Sequence, residues 1–292
     1  MYRIKIPATS ANLGPGFDCL GIALDLYDTF DVERCGRDVL ENTEERFRTP
    51  DNLFLKAYRH GCEKIGCEDH IRVIFHADIP AGRGLGTSAA IIAGGLSAAS
   101  VLHDDALSPE EIFHLAAEME GHPDNAAPAV YGGLCLCLEA EGRTEVVRMN
   151  VPDTWIFTAL VPDYEVHTEA ARSALPQTYD RPVIAWTSSH LFAMIEALRN
   201  GDMALLRKAA HDRVHEPYRK DLIADYSLLR KTACEDTGGV LLISGSGSTC
   251  LLISQRPLSP EAKQKIQTEA SASWKFHQLA VSEGPVTERI QL

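Results

Sequence analysis

The chain has no C-x-x-C pair, no run of about 20 apolar residues and no excess of positive charge, and each absence closes off a class of protein. Its eight cysteines are Cys19, Cys35, Cys62, Cys67, Cys135, Cys137, Cys234 and Cys250. Without a C-x-x-C pair, a zinc site or a redox dithiol is not expected. Cys135 and Cys137 alternate in "LCLCLE" and read as small apolar fillers on one strand face. The missing apolar run excludes a spanning helix, and "MYRIKIPATS" lacks the apolar core of a signal peptide, so a cytoplasmic protein without a membrane partner is expected. Lys and Arg number 28 against 41 Asp and Glu, a net charge of −13, which argues against nucleic acid as a partner. An anionic ligand must then be held locally, by arginines, a helix terminus or a metal. Aromatic residues make up only 7%, yet 45% hydrophobic and 24% charged residues are ordinary for a globular chain, and 292 residues suffice for one large or two ordinary domains.

Glycine is abundant where it matters. "IPAGRGLGTSAAIIAGGLSAASVL" (79–102) places Gly82, Gly84 and Gly86 directly before a small-residue stretch that reads as a helix. The first N–H groups of a helix lack partners and sit at the positive end of its dipole, so bare backbone in front of them suits a phosphate. Thr87 and Ser88 can cap that helix or ligate Mg²⁺. A P-loop would need Lys where Thr87 stands, and G-x-G-x-G is not the dinucleotide fingerprint, because Asp104 and Asp105 run into a helix start rather than closing a strand.

The flanking patterns give an α+β protein. Strands are expected at 2–8, 21–34 and 71–79, helices at 51–66, 87–102 and 108–121, and two strands around a turn at Glu141–Arg143. The helix at 108–121 is the best marked, with Ser108 as N-cap, Pro109 at the first position, Glu111 closing a capping box and Gly121 ending it. From about 155 a second half follows: a strand at 155–162, helices at 168–175, 187–201, 203–219 and 221–234, a strand, glycine turn and strand at 238–254, a helix at 259–271 and a last strand in "KFHQLAVSEG". Two closely packed domains, 1–154 and 155–292, are expected.

Polar residues concentrate in four further places. "PATSANLGPGFDCLG" (7–21) sets Asn12 and Asp18 in a glycine-rich loop, where an amide and a carboxylate could grip an ammonium group. "EMEGHPDNAAPAVYGG" (118–133) crowds Glu118, Glu120, His122, Asp124 and Asn125 against an apolar run, and Glu118 could join Ser88 on Mg²⁺, since hard cations take oxygen ligands. "SGSGST" (244–249) is a second loop of glycines and hydroxyls. Arg172 and Arg219 lie on helices of the second half, and either planar fork could clamp a carboxylate.

In order and spacing, "PATSANLGPGFDCLG", "GRGLGTSAA", "EGHPDNAAPAVYGG" and "SGSGSTC", with "TEAARSALP" and "HEPYR", resemble the signatures of the GHMP kinases and, within them, the homoserine kinase family. The resemblance implies an N-terminal domain like ribosomal protein S5 domain 2, a ferredoxin-like C-terminal domain, an active site between them, and a homodimer. It implies ATP-dependent phosphorylation of the side-chain hydroxyl of L-homoserine to O-phospho-L-homoserine, a step of threonine biosynthesis. ATP would lie against Pro80, Ala81, Gly82, Arg83, Gly84, Leu85, Gly86, Thr87, Ser88, Ala89 and Ala90, with Asn52 bordering the adenine and Mg²⁺ on Ser88 and Glu118. Homoserine would be held by Asn12, Asp18, His122, Asn125, Arg172 and Arg219, with Asn125, Thr168 and Arg172 nearest the transferring phosphoryl group. Mevalonate and galactose kinases carry an Asp that can act as base close to Asn125, and an amide cannot accept that proton, so this chain looks like a base-free version, with the adjacent Asp124 as a rival base. Arg83 stands where the family usually has a small residue, and it either reaches a phosphate or faces solvent. A mevalonate-type kinase and a non-catalytic nucleotide-binding module are the competing readings.

Overall fold

The computed structural model describes residues 1–291. The first half runs β1 (Tyr2–Ala11), β2 (Leu20–Cys35), β3 (Val39–Glu41), α1 (Leu53–Ile65), β4 (His70–His76), α2 (Thr87–Val101), α3 (Pro109–Glu120), α4 (Pro123–Tyr131), β5 (Leu134–Ala140) and β6 (Arg143–Met149). The second runs β7 (Ile156–Pro162), α5 (Thr168–Ser173), α6 (Arg181–Asn200), α7 (Met203–Ala209), α8 (Glu216–Arg219), α9 (Tyr226–Thr237), β8 (Val240–Ile243), β9 (Cys250–Ser254), α10 (Pro260–Glu269), β10 (Trp274–Leu279) and β11 (Val286–Arg289). Among the described residues, no helix is long and apolar enough to cross a membrane.

Two sheets organise the chain. The first has seven strands in the order β11-β1-β2-β4-β3, with β5 also on β2 and β6 on β5; the second is antiparallel, β10-β7-β9-β8. The 16-residue β2 is long enough to pair β5 near its start, through Leu20–Ile22, and β4 near its end, through Thr29–Cys35. Alternate residues of the first sheet, Ile4, Ile6, Phe30 and Val73, are buried in one core with Phe54 of α1 and Leu96 of α2. There Phe30, Phe54 and Phe75 meet at ring-centroid distances of 4.9–5.7 Å. A second core, with Leu160, Leu229, Ile266 and Trp274, lies between the second sheet and helices α9 and α10.

The structure departs from the sequence reading at three points. The division at 155 follows the passage from the first sheet to the second, but the C-terminal stretch does not stay there: β11 pairs β1, and Ser282 exchanges backbone bonds with Ala23 and Gly133. All four residues of β11 are exposed, so it carries no alternation by which to be recognised. The helix expected at 203–219 is two, because Asp212 breaks it, its carboxylate accepting the N–H groups of Val214, His215 and Glu216 before α8 begins. The run at 123–131 forms helix α4, with Pro123 in its first turn and Pro128 inside it.

The two sheets meet through two glycine loops. Gly84 has φ +77°, and a Cβ on it would lie 2.4 Å from the Ser244 carbonyl oxygen and 2.7 Å from that of Gly247. Ser244 donates to the Gly84 carbonyl at 2.6 Å and shares a hydrogen bond with the Ser10 hydroxyl at 2.8 Å. The Thr249 N–H reaches the Arg83 carbonyl at 3.0 Å and the Gly245 N–H that of Ala11 at 2.9 Å. Gly86, with φ +69°, seats the loop on β1: a Cβ there would meet Thr9 Oγ1 at 1.8 Å.

Two outcomes follow for stability. Gly86→Ala is expected to be strongly destabilising in denaturant titration; adding Thr9→Ala should recover the steric part and leave about 1–2 kcal/mol for the left-handed backbone. An unchanged midpoint for the single variant would contradict this seating. The second concerns Glu216, whose buried carboxyl accepts the Ile243 N–H at 2.9 Å and is pushed by burial from 4.5 up to about 8. A raised acid binds more protons folded than unfolded, so its contribution is present below pH 4.5 and is lost as pH rises through about 8. Glu216→Gln should therefore flatten the fall in unfolding free energy over that window, and an equally steep fall in the variant would count against it.

Candidate active site

One cleft runs between the two glycine loops, lined from the first half by Gly82–Ser88 positions, Asn12, Asp18 and the 120–125 turn, and from the second by the 165–168 segment, Arg172, Arg219 and Gly245–Gly247. At one end sits α2. Its N-cap is Gly86, with no side-chain cap, so the first-turn N–H groups of a 15-residue helix are left for whatever occupies the cleft. The Thr87 hydroxyl is committed to the Pro80 carbonyl at 3.3 Å, whereas Ser88 is exposed in the cleft.

Glu120, not Glu118, stands beside Ser88. Glu118 is exposed and outside the cleft, whereas the Glu120 side chain is largely covered. The two are separated by about 200° around α3 at 3.6 residues per turn, so only one can face α2. Burial raises the Glu120 carboxyl above the usual range, against the pull of the Ser88 hydroxyl and of His122. This pair of oxygens is suited to a hard divalent cation.

The opposite end is built from ions. Arg172 faces Asp18 through two contacts of 3.2 and 3.3 Å, both residues partly open to the cleft. Arg219 is 1% exposed, donates to the Ala171 carbonyl at 3.2 Å and that of Gly245 at 3.1 Å, and lies 5.2 Å over the Phe17 ring. Among the described residues no carboxylate lies within salt-bridge distance of it, and burial lowers its pKa. An uncompensated buried guanidinium facing a cleft is an anion site by its own energetics.

Between these ends lie the remaining polar groups. Asn125 Oδ1 accepts from the Thr9 hydroxyl at 2.8 Å, which turns its amide NH₂ away from Thr9. Asp124 also lines the cleft, from the same first turn of α4 as Asn125. Its Oδ1 lies 3.1 Å from His122 Nδ1, and this contact holds the imidazole above its ordinary pKa despite burial. Thr168 Oγ1 is 3.3 Å from the Ser246 hydroxyl. Asn12 lines the cleft, but its amide is engaged, accepting the Asp18 N–H at 2.8 Å and donating to the Gly245 carbonyl at 3.1 Å. It joins the loops rather than presenting a free grip.

Several residues expected to contact ATP do not line this cleft. Asn52 is the N-cap of α1, accepting from Phe54 and Leu55 and donating to the Phe47 carbonyl, and does not line the cleft. Leu85, Ala89 and Ala90 are buried in the core, and Pro80 and Ala81 offer carbonyls to Thr87 and Arg83. Arg83 is tied into the protein rather than free in solvent: it contacts Glu165 at 2.7 Å and donates to the carbonyls of Ala81, Pro162 and Asp163. Glu165 is thereby laid over Gly82. No sequence signal marks Glu165, because its partner is 82 residues away.

The chain is similar to known proteins along nearly its whole length. Residues 52–133 match the GHMP kinases N terminal domain and residues 194–275 the GHMP kinases C terminal domain. The chain is 34% identical over 287 residues to a homoserine kinase of Clostridium botulinum (strain Langeland), covering 96% of each. It is 36% identical to one of Synechocystis sp., covering 89% of this chain and 88% of the other. The crystal structure of homoserine kinase from Cytophaga hutchinsonii superposes with a TM-score of 0.85 at 27% identity, covering 98% of this chain and 96% of that one. With both halves matched and the likeness running from end to end, the chain belongs to the homoserine kinase family of the GHMP kinases.

Proposed function

We propose that the protein transfers the γ-phosphoryl group of ATP to the side-chain hydroxyl of L-homoserine, giving O-phospho-L-homoserine in threonine biosynthesis. The observation that carries this reading is the buried, unpaired Arg219 beside the Asp18–Arg172 pair. A zwitterion fits that arrangement, its carboxylate on the arginines and its ammonium on Asp18, exchanging one ion pair for two. Mevalonate has no ammonium group for Asp18, and a sensor needs neither this grip nor a covered carboxylate beside Ser88.

ATP phosphates would lie along the glycine loop, at the N-terminus of α2, which supplies unpaired N–H groups. Ser88 and Glu120 fit a Mg²⁺ ion, which takes a few protein oxygens and completes its shell with phosphate and water. When bound, that ion would neutralise charge on the phosphate oxygens. Anchoring homoserine at both charged groups leaves its hydroxyl directed toward Asn125 and Thr168, between the anchors and α2. Transfer through a loose transition state needs positioning and charge neutralisation more than proton removal, so the donating face of Asn125 suits it. Asp124 is held by His122, which favours an orienting role over that of base.

The test is ADP release with Mg·ATP and L-homoserine, mevalonate or galactose in parallel, and release with homoserine alone is expected. Glu120→Gln should lower kcat by about 100-fold or more, and Glu118→Gln should leave it unchanged. Arg172→Ala should raise KM for homoserine by at least about tenfold, with KM for ATP unaltered, as for a lost charge-assisted hydrogen bond. Equal effects of the two glutamate substitutions would overturn the assignment of Glu120.

A further inference from the structure

At the end of α1, away from the cleft, three donors converge that the sequence keeps apart. The N–H of Gly66, in the left-handed conformation, and that of Cys67 both bond to the Cys62 carbonyl, at 2.8 and 2.9 Å. The chain thus doubles back and returns Cys67 to the side of Cys62. His103, just beyond α2, completes the group: one ligand atom from each of Cys62, Cys67 and His103 lies within 4.8 Å of the other two.

The surroundings are those of a ligand set rather than of three packed side chains. His103 Nδ1 lies 2.8 Å from the Ala99 carbonyl, which only accepts, so Nδ1 carries the hydrogen and Nε2 is the lone-pair nitrogen. A backbone carbonyl fixing the tautomer in this way is the usual support of a metal-binding histidine. Nε2 in turn lies 2.9 Å from Asp69 Oδ2, an oxygen that Arg34 Nε also reaches at 3.2 Å. The Tyr58 hydroxyl, one turn before Cys62, is buried beside the Cys62 sulfur. Cys62, Gly66, Cys67 and Asp69 also line one surface depression, which gives an entry path.

We propose that Cys62, Cys67 and His103 form a structural site for a thiophilic divalent cation of the zinc type, its fourth position left to water or to the Asp69 carboxylate once that parts from Arg34. Tetrahedral zinc, with bonds of about 2.0–2.3 Å, sets its donors about 3.3–3.8 Å apart, so closing the present spacing takes side-chain movements of about 1 Å. Binding breaks two S–H bonds, forms two metal–sulfur bonds and releases two protons, with no change of oxidation state. The ion would staple the end of α1 to the end of α2, whose opposite end carries Ser88. The spacing C-x₄-C is hidden from a search for C-x-x-C because a helix C-cap, not a knuckle, brings the sulfurs together.

The experiment is a Co²⁺ titration of the reduced, metal-free, full-length protein. A thiolate-to-cobalt charge-transfer band that saturates at one equivalent and is displaced by Zn²⁺ is expected, with a rise in thermal midpoint on adding zinc. Cys67→Ser and His103→Ala should each abolish the band and the rise, while Cys234→Ser, on α9, should keep both. Cys67 is only half-buried, so its variant tests the site without a core lesion. No band in the wild type, a band that survives Cys67→Ser and His103→Ala, or a Cys62–Cys67 disulfide in place of a bound ion would overturn the proposal.

Discussion

The cleft exists because the Ser244 hydroxyl ties the second sheet to the Gly84 carbonyl and to Ser10 of β1 at one point. The two loops can approach to this distance because Gly84 carries no Cβ; such an atom would overlap the carbonyl oxygens of Ser244 and Gly247. From this interlock the rest follows in space. The loop after Ser244 closes one wall, the loop before Thr87 aims α2 along the floor, and Asn12 and Arg219 both reach the same Gly245 carbonyl. A site assembled across two sheets thus needs no flexible linker to find its geometry, and its parts should respond together to damage at this contact.

Charge is arranged against the overall field. The chain carries −13, yet the cleft holds Arg172 and Arg219 at one end and unpaired helix N–H groups at the other, so anions are favoured at two places only. Between them the acids are restrained, Asp124 by His122 and Asp18 by Arg172. Burying Arg219 without a carboxylate is costly in the free protein, and a bound carboxylate would relieve that cost. Ligand affinity and the instability of the empty site are then two aspects of one interaction.

Much of the framework was legible because its signals are local. Ser108, Pro109 and Glu111 form the capping box that the sequence announces, Gly121 closes α3 in the left-handed conformation, and Cys135 and Cys137 are buried on one strand. The residues that gather in the cleft from distant stretches, Asp18, Asn125, Thr168, Arg172 and Arg219, were legible through motif spacing rather than through any single pattern. What escaped depends on rotation or on long-range pairing. Glu118 and Glu120 differ only by their phase on α3, and phase is fixed by what α3 packs against. Arg83 and Glu165 find each other only after the sheets dock, β11 joins β1 without a pattern of its own, and Cys62 meets His103 only after two helices have packed.

The central claim is that the cleft selects a zwitterion before it transfers a phosphoryl group. The direct measurement is ADP release with L-homoserine beside its two truncated analogues, 3-amino-1-propanol, which lacks the carboxylate, and 4-hydroxybutyrate, which lacks the ammonium group. Losing either charged group should lower kcat/KM by at least about tenfold, the worth of one charge-assisted hydrogen bond, with the greater loss for the analogue that leaves Arg219 unpaired. Comparable kcat/KM for homoserine and 3-amino-1-propanol would mean that Arg219 does not meet the substrate, and would contradict the account.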